Sequence, residues 1–308
     1  MNKIEISIIT SLYRCEKFLE PFLEHFFRIE NLDECELILV HNDPTENELA
    51  IIDKFNWEGI HKVHLKVERE GLYNSWNRAI TVAQGKYLAI WNVDDIRLPA
   101  SLRSQKKALD NSDAVLCYGD FYGTNSYGLF QDRLYQYDAF DIMKKSKLKR
   151  HVIGCFPMWR KEVHEQVGYF DEQFRLVSDF EFQLRLLPAY RFVKADTVLG
   201  YYLEFVSHKL SSNKFLQDKE RTVVEIRYRI YDKILMHTFP FITKYRPYYC
   251  LNFGLWYKVS EFVPSLNGFK TKDVLSFLQM PFAFFYTFLR RSTNKLYRVV
   301  FRKPYIPS

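Results

Sequence analysis

The chain has 308 residues, of which 47% are hydrophobic and 26% charged, the composition of a globular protein about two domains long. These values exclude a disordered chain, a collagen-like chain and a miniprotein stabilised by disulfides. The five cysteines are scattered and lack Cys-x-x-Cys spacing, so we predict neither a disulfide framework nor a zinc site. We expect a reducing, cytoplasmic setting, and the N-terminus has no pattern of an export signal.

Charge is unevenly distributed along the chain. The net charge is +7, but residues from Lys214 onward contain 17 Lys and Arg against 6 Asp and Glu, a balance of +11. Strand and turn signals stop in the loop Glu204–Asn213, where helical, aromatic and basic segments begin. We therefore predict two parts, residues 1–213 and 214–308, and an anionic surface as the partner of the second.

Short apolar runs alternate with helical patterns over the first ninety residues. The strands are predicted at Ile4–Thr10, Glu36–Val40, Val63–Val67 and Tyr87–Trp91, and the helices at Phe18–Ile29, Thr45–Phe55 and Leu72–Ala83. This alternation predicts an α/β fold with a doubly wound, mostly parallel sheet flanked by helices. Ligands of such folds bind outside the carboxyl ends of the strands.

The next part of the chain is less regular. A helix at Ser101–Asn111 and a strand at Ala114–Tyr118 precede a stretch rich in Gly, Tyr and Asn that reaches Tyr137. A second patterned block covers Val152–Leu203, with a helix near Ser178–Leu187.

Two adjacent carboxylates, Asp94 and Asp95, directly follow the apolar strand Tyr87–Trp91. Such carboxylates repel each other unless a cation or hydrogen-bond donors neutralise them. Because Mg²⁺ combines carboxylate oxygens with substrate phosphates, the pair is typical of a metal–diphosphate site. The alternative is a solvated turn that caps the following helix.

Three ordered segments resemble family 2 glycosyltransferases of the GT-A fold. The loop Ile8–Arg14 ends the first strand, Glu70–Ile80 with Ala83–Tyr87 is similar to the family's Gly-Ile-Tyr-Asp-Ala-Met-Asn-Lys-Gly-Ile and Ala-x-Gly-x-Tyr pattern, and Asn92–Asp95 is similar to its Asn-x-Asp-Asp motif. The resemblance implies a nucleotide-sugar donor and Mn²⁺ or Mg²⁺. It also implies Asp95 as the main metal ligand, with Asp94 on the ribose or assisting the metal.

A fourth match lies further along the chain. Gly168–Glu172 and Val177–Arg185 resemble the family's Gly-Gly-Phe-Asp-Glu and Glu-Asp-Tyr-Asp-Leu-x-x-Arg segments, which implies that Asp179 is the catalytic base. Ser178 stands where the family has Glu, so no role is carried over to it. Taken without the resemblance, Asp179 is better explained as a carboxylate at a helix N-terminus that interacts with the helix dipole.

The same resemblance implies the nucleotide contacts, which are Thr10, Tyr13, Asp43, Arg69, Asn77 and Asp94. His41 replaces the acid that contacts the nucleobase in the family. Asp43 then reads a uracil or thymine imide from a shifted register, which favours a UDP- or dTDP-sugar over a GDP-sugar, or it caps the turn before Pro44. Arg69 approaches the phosphates or forms a solvated salt bridge.

His208 lies in the loop after the last strand, where enzymes of this fold often place a histidine over the diphosphate. It either completes the metal shell or is simply solvated. The other strand histidines, His61 and His64, are interpreted as surface residues.

We therefore predict an inverting, metal-dependent glycosyltransferase that extends a glycan or lipid-linked saccharide acceptor in cell-surface polysaccharide synthesis. One alternative is a nucleotidyltransferase, but no Gly lies between Ile9 and Phe18 to form a triphosphate loop. The other is a basic nucleic-acid-binding protein, although no recognised DNA or RNA module is present. We do not expect a nucleic-acid partner.

The basic C-terminal part is predicted to dock on the inner face of the cell membrane. An apolar stripe runs through Val274–Val300, while Arg291, Lys295, Arg298 and Arg302 recur on another face. The apolar run Val274–Leu289 is too short and too interrupted to span a bilayer. The alternative is a helical subdomain that packs on the catalytic part or on a second subunit in a homo-oligomer.

Overall fold

The computed structural model describes residues 3–140 and 153–204, together with residues 213, 216, 217, 220, 221, 224, 228, 249–252 and 255–258. The chain divides into two compact units, Met1–Ser212 and Asn213–Ser308. No helix within the described residues combines the length and hydropathy of a membrane-crossing segment.

The first unit contains a large and a small β-sheet with their flanking helices. Its strands are β1 Ile6–Leu12, β2 Cys35–Asn42, β3 His61–Val67, β4 Tyr87–Ile90, β5 Ile96–Arg97, β6 Leu116–Tyr118, β7 Phe121–Thr124, β8 Arg133–Tyr135, β9 Met158–Arg160, β10 Phe192–Lys194 and β11 Gly200–Leu203. Its helices are α1 Glu16–Phe26, α2 Glu46–Asp53, α3 Leu72–Val82, α4 Ser101–Asp110, α5 Val163–Val167 and α6 Ser178–Leu186, with a 3-10 turn at Leu32–Glu34.

The large sheet has seven strands in the order β10-β6-β9-β4-β1-β2-β3. Its pairs are parallel except at β9, which runs antiparallel to both β4 and β6. The prediction of a doubly wound, mostly parallel sheet is therefore confirmed. A second sheet, in the order β5-β11-β7-β8, has no counterpart in the sequence prediction.

The helices form where apolar spacing and capping groups agree. Helix α1 buries Leu19, Phe22, Leu23 and Phe26 at helical spacing, and the ring of Phe22 packs edge-on against Trp91 at 5.1 Å. Helix α2 begins with a capping box in which Thr45 and Glu48 exchange hydrogen bonds. Removing the Phe22 ring would cost roughly 3–5 kcal/mol of the free energy of unfolding.

Gly85 explains the Ala-x-Gly-x-Tyr segment in structural terms. A Cβ atom at this position would lie 2.6 Å from the backbone nitrogen of Ser7, so only glycine permits this approach of the chain to β1. The backbone N–H of Gly85 also donates to Ser7 Oγ at 2.9 Å. The motif therefore fixes the start of β4 beside β1.

In the second unit, β12 Tyr249–Asn252 and β13 Leu255–Lys258 form an antiparallel pair. The helical prediction for residues 214–308 did not anticipate these strands. The predicted stripe in Val274–Val300 lies outside the described residues.

Candidate active site

The segments selected from the sequence lie at one edge of the large sheet. Strands β1, β2, β3 and β4 are parallel neighbours, so their carboxyl ends meet there. The candidate residues form three groups along this edge, one after β4, one after β1 to β3, and one between α3 and α6.

The turn after β4 is held by Asp95, which is only 1% exposed. Asn92 Nδ2 donates to Asp95 Oδ2 at 3.1 Å, and the backbone N–H of Leu203 donates to Oδ1 at 3.2 Å. Asp95 thus joins the turn to the end of β11. Asp94 is half-buried and has the more accessible carboxylate of the two. The assignment of Asp95 as the main metal ligand stays a prediction.

Two buried side chains stabilise the chain that leads into this turn by donating hydrogen bonds to its backbone carbonyl oxygens. Thr10 Oγ1 donates to the carbonyl oxygen of Trp91 at 2.9 Å, and Arg97 Nη2 donates to that of Ile90 at 2.8 Å. Burial lowers the pKa of Arg97 to about 10, so the guanidinium stays charged at neutral pH. The Thr10 hydroxyl, predicted as a nucleotide contact, is directed into the protein, where it positions the Asp94–Asp95 turn.

The second group consists of exposed residues that follow β1, β2 and β3. The guanidinium of Arg69 lies 4.1 Å from the centre of the Tyr13 ring, and that of Arg14 lies 5.7 Å from it. Asp43 Oδ1 accepts the backbone N–H of Arg69 at 3.2 Å. The structure therefore brings together three of the predicted nucleotide contacts. The Tyr13 ring lies beside the guanidinium of Arg69, and Asp43 accepts the backbone N–H of Arg69.

His41, at the position of the family's nucleobase-reading acid, is fully buried. Its Nε2 lies 3.1 Å from Glu48 Oε2, and its Nδ1 lies 3.1 Å from His64 Nε2. The expectation that His64 is a surface residue is wrong, since its half-buried ring stacks on His41. Burial, followed by the proximity of His41, lowers the pKa of His64 to about 4.

Glu48 joins the starts of two helices. It accepts the backbone N–H groups of Cys15 at 2.6 Å and Thr45 at 3.0 Å. Burial on its own would raise the pKa of Glu48, but these hydrogen bonds and the one from His41 outweigh it and lower the pKa to about 2. The His41–Glu48 pair therefore anchors α1 and α2 behind the nucleotide contacts.

Sequence reasoning missed Asn42, the last residue of β2. Its Oδ1 accepts the backbone N–H of Glu70 at 2.9 Å, and its Nδ2 donates to Ser75 Oγ at 3.1 Å and to the carbonyl oxygen of Leu12 at 3.3 Å. Asn42 thereby ties the end of β1 to the start of α3. The only local signal is an amide at the end of a buried strand.

The third group is built around Asp179, in the first turn of α6. Its half-buried carboxylate accepts the backbone N–H of Phe180 at 2.8 Å and the hydroxyl of Tyr73 at 3.3 Å. Tyr73 is buried on α3 and stacks against Phe170. Ser178 is also buried, and its hydroxyl has no hydrogen-bond partner among the described residues.

Asn77, predicted as a nucleotide contact, instead joins α3 to the segment before α6. Its Nδ2 donates to the carbonyl oxygen of Phe170 at 2.9 Å and to Glu172 Oε1 at 2.8 Å, while its Oδ1 accepts the N–H of Phe170 at 3.0 Å. With its amide engaged in this way, Asn77 positions the chain that leads to Asp179.

His208 lies outside the described residues. Within the described ranges, no three His, Cys, Asp or Glu side chains converge as a metal site.

Solved structures of low sequence identity share this fold. S. aureus TarS 1-349 in complex with UDP aligns with a TM-score of 0.58 and 18% identity over 79% of this chain and 75% of that one. The mannosyltransferase PcManGT of Pyrobaculum calidifontis, in complex with GDP-Man and Mn²⁺, aligns with a TM-score of 0.54 and 13% identity over 80% and 72%. These likenesses establish the fold.

Sequence comparison identifies related proteins directly. An uncharacterized glycosyltransferase of Methanocaldococcus jannaschii is 27% identical over 61% of this chain and 66% of its own length. The glycosyltransferase GlyG of Streptococcus pneumoniae is 28% identical over 38% and 39%. Both matches span less than two thirds of the relative.

Residues 7–168, more than half of the chain, match the family described as Glycosyl transferase family 2. The chain belongs to this family.

Proposed function

We propose that this chain is an inverting glycosyltransferase that moves a sugar from a nucleoside diphosphate to a hydroxyl group of a glycan or lipid-linked acceptor in cell-surface polysaccharide synthesis. The observation that carries the proposal is the position of Asp179. Tyr73, in the first turn of α3, donates a hydrogen bond to its carboxylate, and Asp94 and Asp95 follow β4 in the same unit. In this proposal, α6 supplies the base Asp179, and the turn after β4 supplies the site for the leaving diphosphate.

The nucleotide contacts are assigned to Tyr13, Arg69 and Asp43. The exposed Tyr13 ring offers a stacking face, and Arg69 beside it supplies a cation for an anionic phosphate. The solved complexes of TarS with UDP and with UDP-GlcNAc support our choice of a UDP- or dTDP-sugar as the donor. The GDP-Man of PcManGT makes GDP-sugars the competing class.

A divalent cation fits the residues present. Asp94 and Asp95 supply hard oxygen ligands, as Mg²⁺ and Mn²⁺ require, and such ions complete their shell with phosphate and water oxygens. We propose Asp95 as the main ligand, with the more exposed Asp94 as a second ligand and His208 as a further candidate. When bound, the cation supplies Lewis-acid stabilisation to the departing diphosphate.

Asp179 performs the proton transfer. As the acceptor hydroxyl attacks the anomeric carbon, its proton passes to the carboxylate of Asp179, and the bond to the nucleoside diphosphate breaks. A single displacement inverts the anomeric centre, and no second carboxylate is needed as a nucleophile.

A donor screen tests this function. The purified chain is incubated with UDP-, dTDP- and GDP-sugars, with and without Mn²⁺, and hydrolysis, transfer and the anomer formed are followed by NMR. We expect cation-dependent turnover of one nucleotide class with inversion. Turnover that EDTA does not affect would contradict the requirement for a divalent cation. A product with the anomeric configuration of the donor would contradict the single displacement.

The basic residues 214–308 are proposed to dock the enzyme on an anionic membrane surface. Each Lys or Arg near such a surface contributes about 1 kcal/mol, so binding should weaken steeply with salt. Deleting residues 270–308 should release the protein from anionic vesicles while donor binding persists. Equal flotation of the truncated and full-length chains would favour the alternative, a packed subdomain or homo-oligomer contact.

A further inference from the structure

Two residues at the carboxyl edge of the large sheet have a backbone conformation that L-amino acids rarely adopt. Among the residues that the structure describes, Arg14 and Asp43 are the non-glycine residues with a left-handed φ, of +47° and +43°. Leu12 on β1 pairs with His41 on β2, so each left-handed residue lies two positions beyond the same pair. Aspartate visits this conformation more readily than arginine, whose side chain is long and has no local hydrogen bond to offer. Strain of this kind concentrates where ligands bind.

The conformation of Arg14 is imposed by the residues on either side of it. The carbonyl oxygen of Leu12 accepts a hydrogen bond from Asn42 Nδ2 at 3.3 Å, and the backbone N–H of Cys15 donates to the buried Glu48 carboxylate at 2.6 Å. The chain turns between these two fixed points and leaves the side chain of Arg14 exposed. Glycine would make this turn without strain, so the arginine side chain calls for a reason other than the fold.

Arg14 brings a second cation to the ring of Tyr13. Its guanidinium lies 5.7 Å from the ring centre, and that of Arg69 lies 4.1 Å from the same point. Within the described part of the chain, neither guanidinium forms an ion pair, since Asp43 accepts the backbone N–H of Arg69 rather than its side chain. Two like charges beside one exposed ring repel each other, and an anion bound to both would offset that repulsion.

We propose that Arg14 is a phosphate-binding residue that acts together with Arg69 on the diphosphate of the nucleotide donor. This inference rests on the proposed function, which assigns the nucleotide to Tyr13, Arg69 and Asp43. Guanidinium groups hold several N–H donors in one plane and match the oxygens of a phosphate. Because Tyr13, Arg14 and Arg69 are all exposed, a ligand can reach them from solvent. The strained turn then serves to present Arg14 beside Tyr13.

Calorimetric titration of the full chain with UDP and with GDP, each with Mn²⁺, tests the proposal. Uridine and guanosine, titrated by NMR, are the probes without phosphate. Arg14→Gly removes the cation and relieves the left-handed backbone. We expect the Kd of the bound diphosphate to rise about 5- to 50-fold, while nucleoside affinity is unchanged and the Tm equals or exceeds that of wild type. Lower affinity without lower stability is a result that a purely structural role would not give.

Arg14→Gln removes the charge but keeps a left-handed side chain, and it should weaken diphosphate binding to a similar extent. Arg28→Gln is the matched control, because it makes the same change in charge beyond the far end of α1, where Arg28 pairs with Glu24. This variant should bind the diphosphates like the wild type.

Equal diphosphate affinity of Arg14→Gly and wild type would overturn the proposal. An equal loss of nucleoside affinity would also overturn it, since the contact would then be with the base or the ribose. A wild-type chain that binds neither diphosphate would instead refute the proposed function, and this assignment with it.

Discussion

The hydroxyl of Tyr73 lies 3.3 Å from Oδ1 of Asp179 and donates to it, so a side chain of α3 orients the carboxylate in the first turn of α6. The same helix joins Asn77 to Phe170 and Glu172, in the segment that leads to Asp179. Helix α3 begins where Asn42 anchors it to the ends of β1 and β2. The proposed base is therefore aligned with the sheet edge through side chains of α3.

Replacing the proposed base tests its chemistry. Asp179→Asn keeps an oxygen that accepts the N–H of Phe180 but cannot take a proton at neutral pH. We expect transfer to fall by about 10²- to 10⁴-fold, while the Kd of the nucleotide sugar, measured by calorimetry, stays within about threefold of wild type. Transfer at the wild-type rate would remove Asp179 from the mechanism.

Tyr73→Phe separates orientation from proton transfer. The ring still fills its buried position against Phe170, so the Tm should change little, but Asp179 loses one of the groups that orient it. We expect kcat to fall several-fold, up to about 10-fold, with the KM of the donor unchanged. A matched loss of kcat and Tm would instead assign Tyr73 a purely structural role.

The sequence predicts the βα core well because each strand and helix there shows its own apolar pattern within a short stretch of residues. Apolar runs such as those of β1 and β2 are buried on both faces, and each predicted strand and helix of the first ninety residues is present within a few residues. The small sheet was missed because β7 and β8 lie in a Gly, Tyr and Asn-rich stretch without a regular apolar period.

The orientation of the site side chains depends on contacts between distant positions. Thr10 and Trp91 are 81 residues apart, and Asn77 and Phe170 are 93 apart. No local pattern shows that these polar groups bond within the protein. His41 illustrates the same point, because its interpretation changes only once Glu48 and His64 are found on either side of it.

The two carboxylates after β4 should respond differently to substitution. Asp94→Asn is expected to abolish the enhancement of nucleoside diphosphate binding by Mn²⁺ without lowering the Tm, because its side chain is only half-buried. Asp95→Ala leaves the N–H of Leu203 and the amide of Asn92 without their acceptor, at a cost of about 1–3 kcal/mol in the free energy of unfolding.

Asp95→Asn distinguishes a ligand role for Asp95 from a positioning role. The amide oxygen still accepts the N–H of Leu203, but the charge is lost. If Asp95 is the main metal ligand, calorimetry will show that cation-dependent binding disappears while the Tm is largely kept. Retained binding in Asp95→Asn, together with lost binding in Asp94→Asn, would assign the ligand role to Asp94.

His164 makes the stability of the first unit depend on pH. The indole N–H of Trp159 donates to His164 Nε2 at 2.9 Å, which leaves Nδ1 as the nitrogen that donates to the carbonyl oxygen of Gly168 at 3.0 Å. A proton on Nε2 would face another donor. Burial is the main cause that lowers the pKa of His164 from 6.5 to about 4, so the folded state favours the neutral ring.

Above pH 6.5 both the folded and unfolded states hold this ring neutral, and it contributes no pH dependence. Between pH 6.5 and about 4 the unfolded chain takes up the proton first, so stability decreases as pH falls, by on the order of 3 kcal/mol for a shift of this size. Glu48, whose pKa is lowered from 4.5 to about 2, loses its contribution as the pH falls from 4.5 towards 2. Urea unfolding of wild type and His164→Gln at pH 7, 5.5 and 4.5 measures how the free energy of unfolding changes with pH. This dependence should be weaker in the variant. Equal dependence in the two proteins would show that other groups, His64 among them, cause the decline.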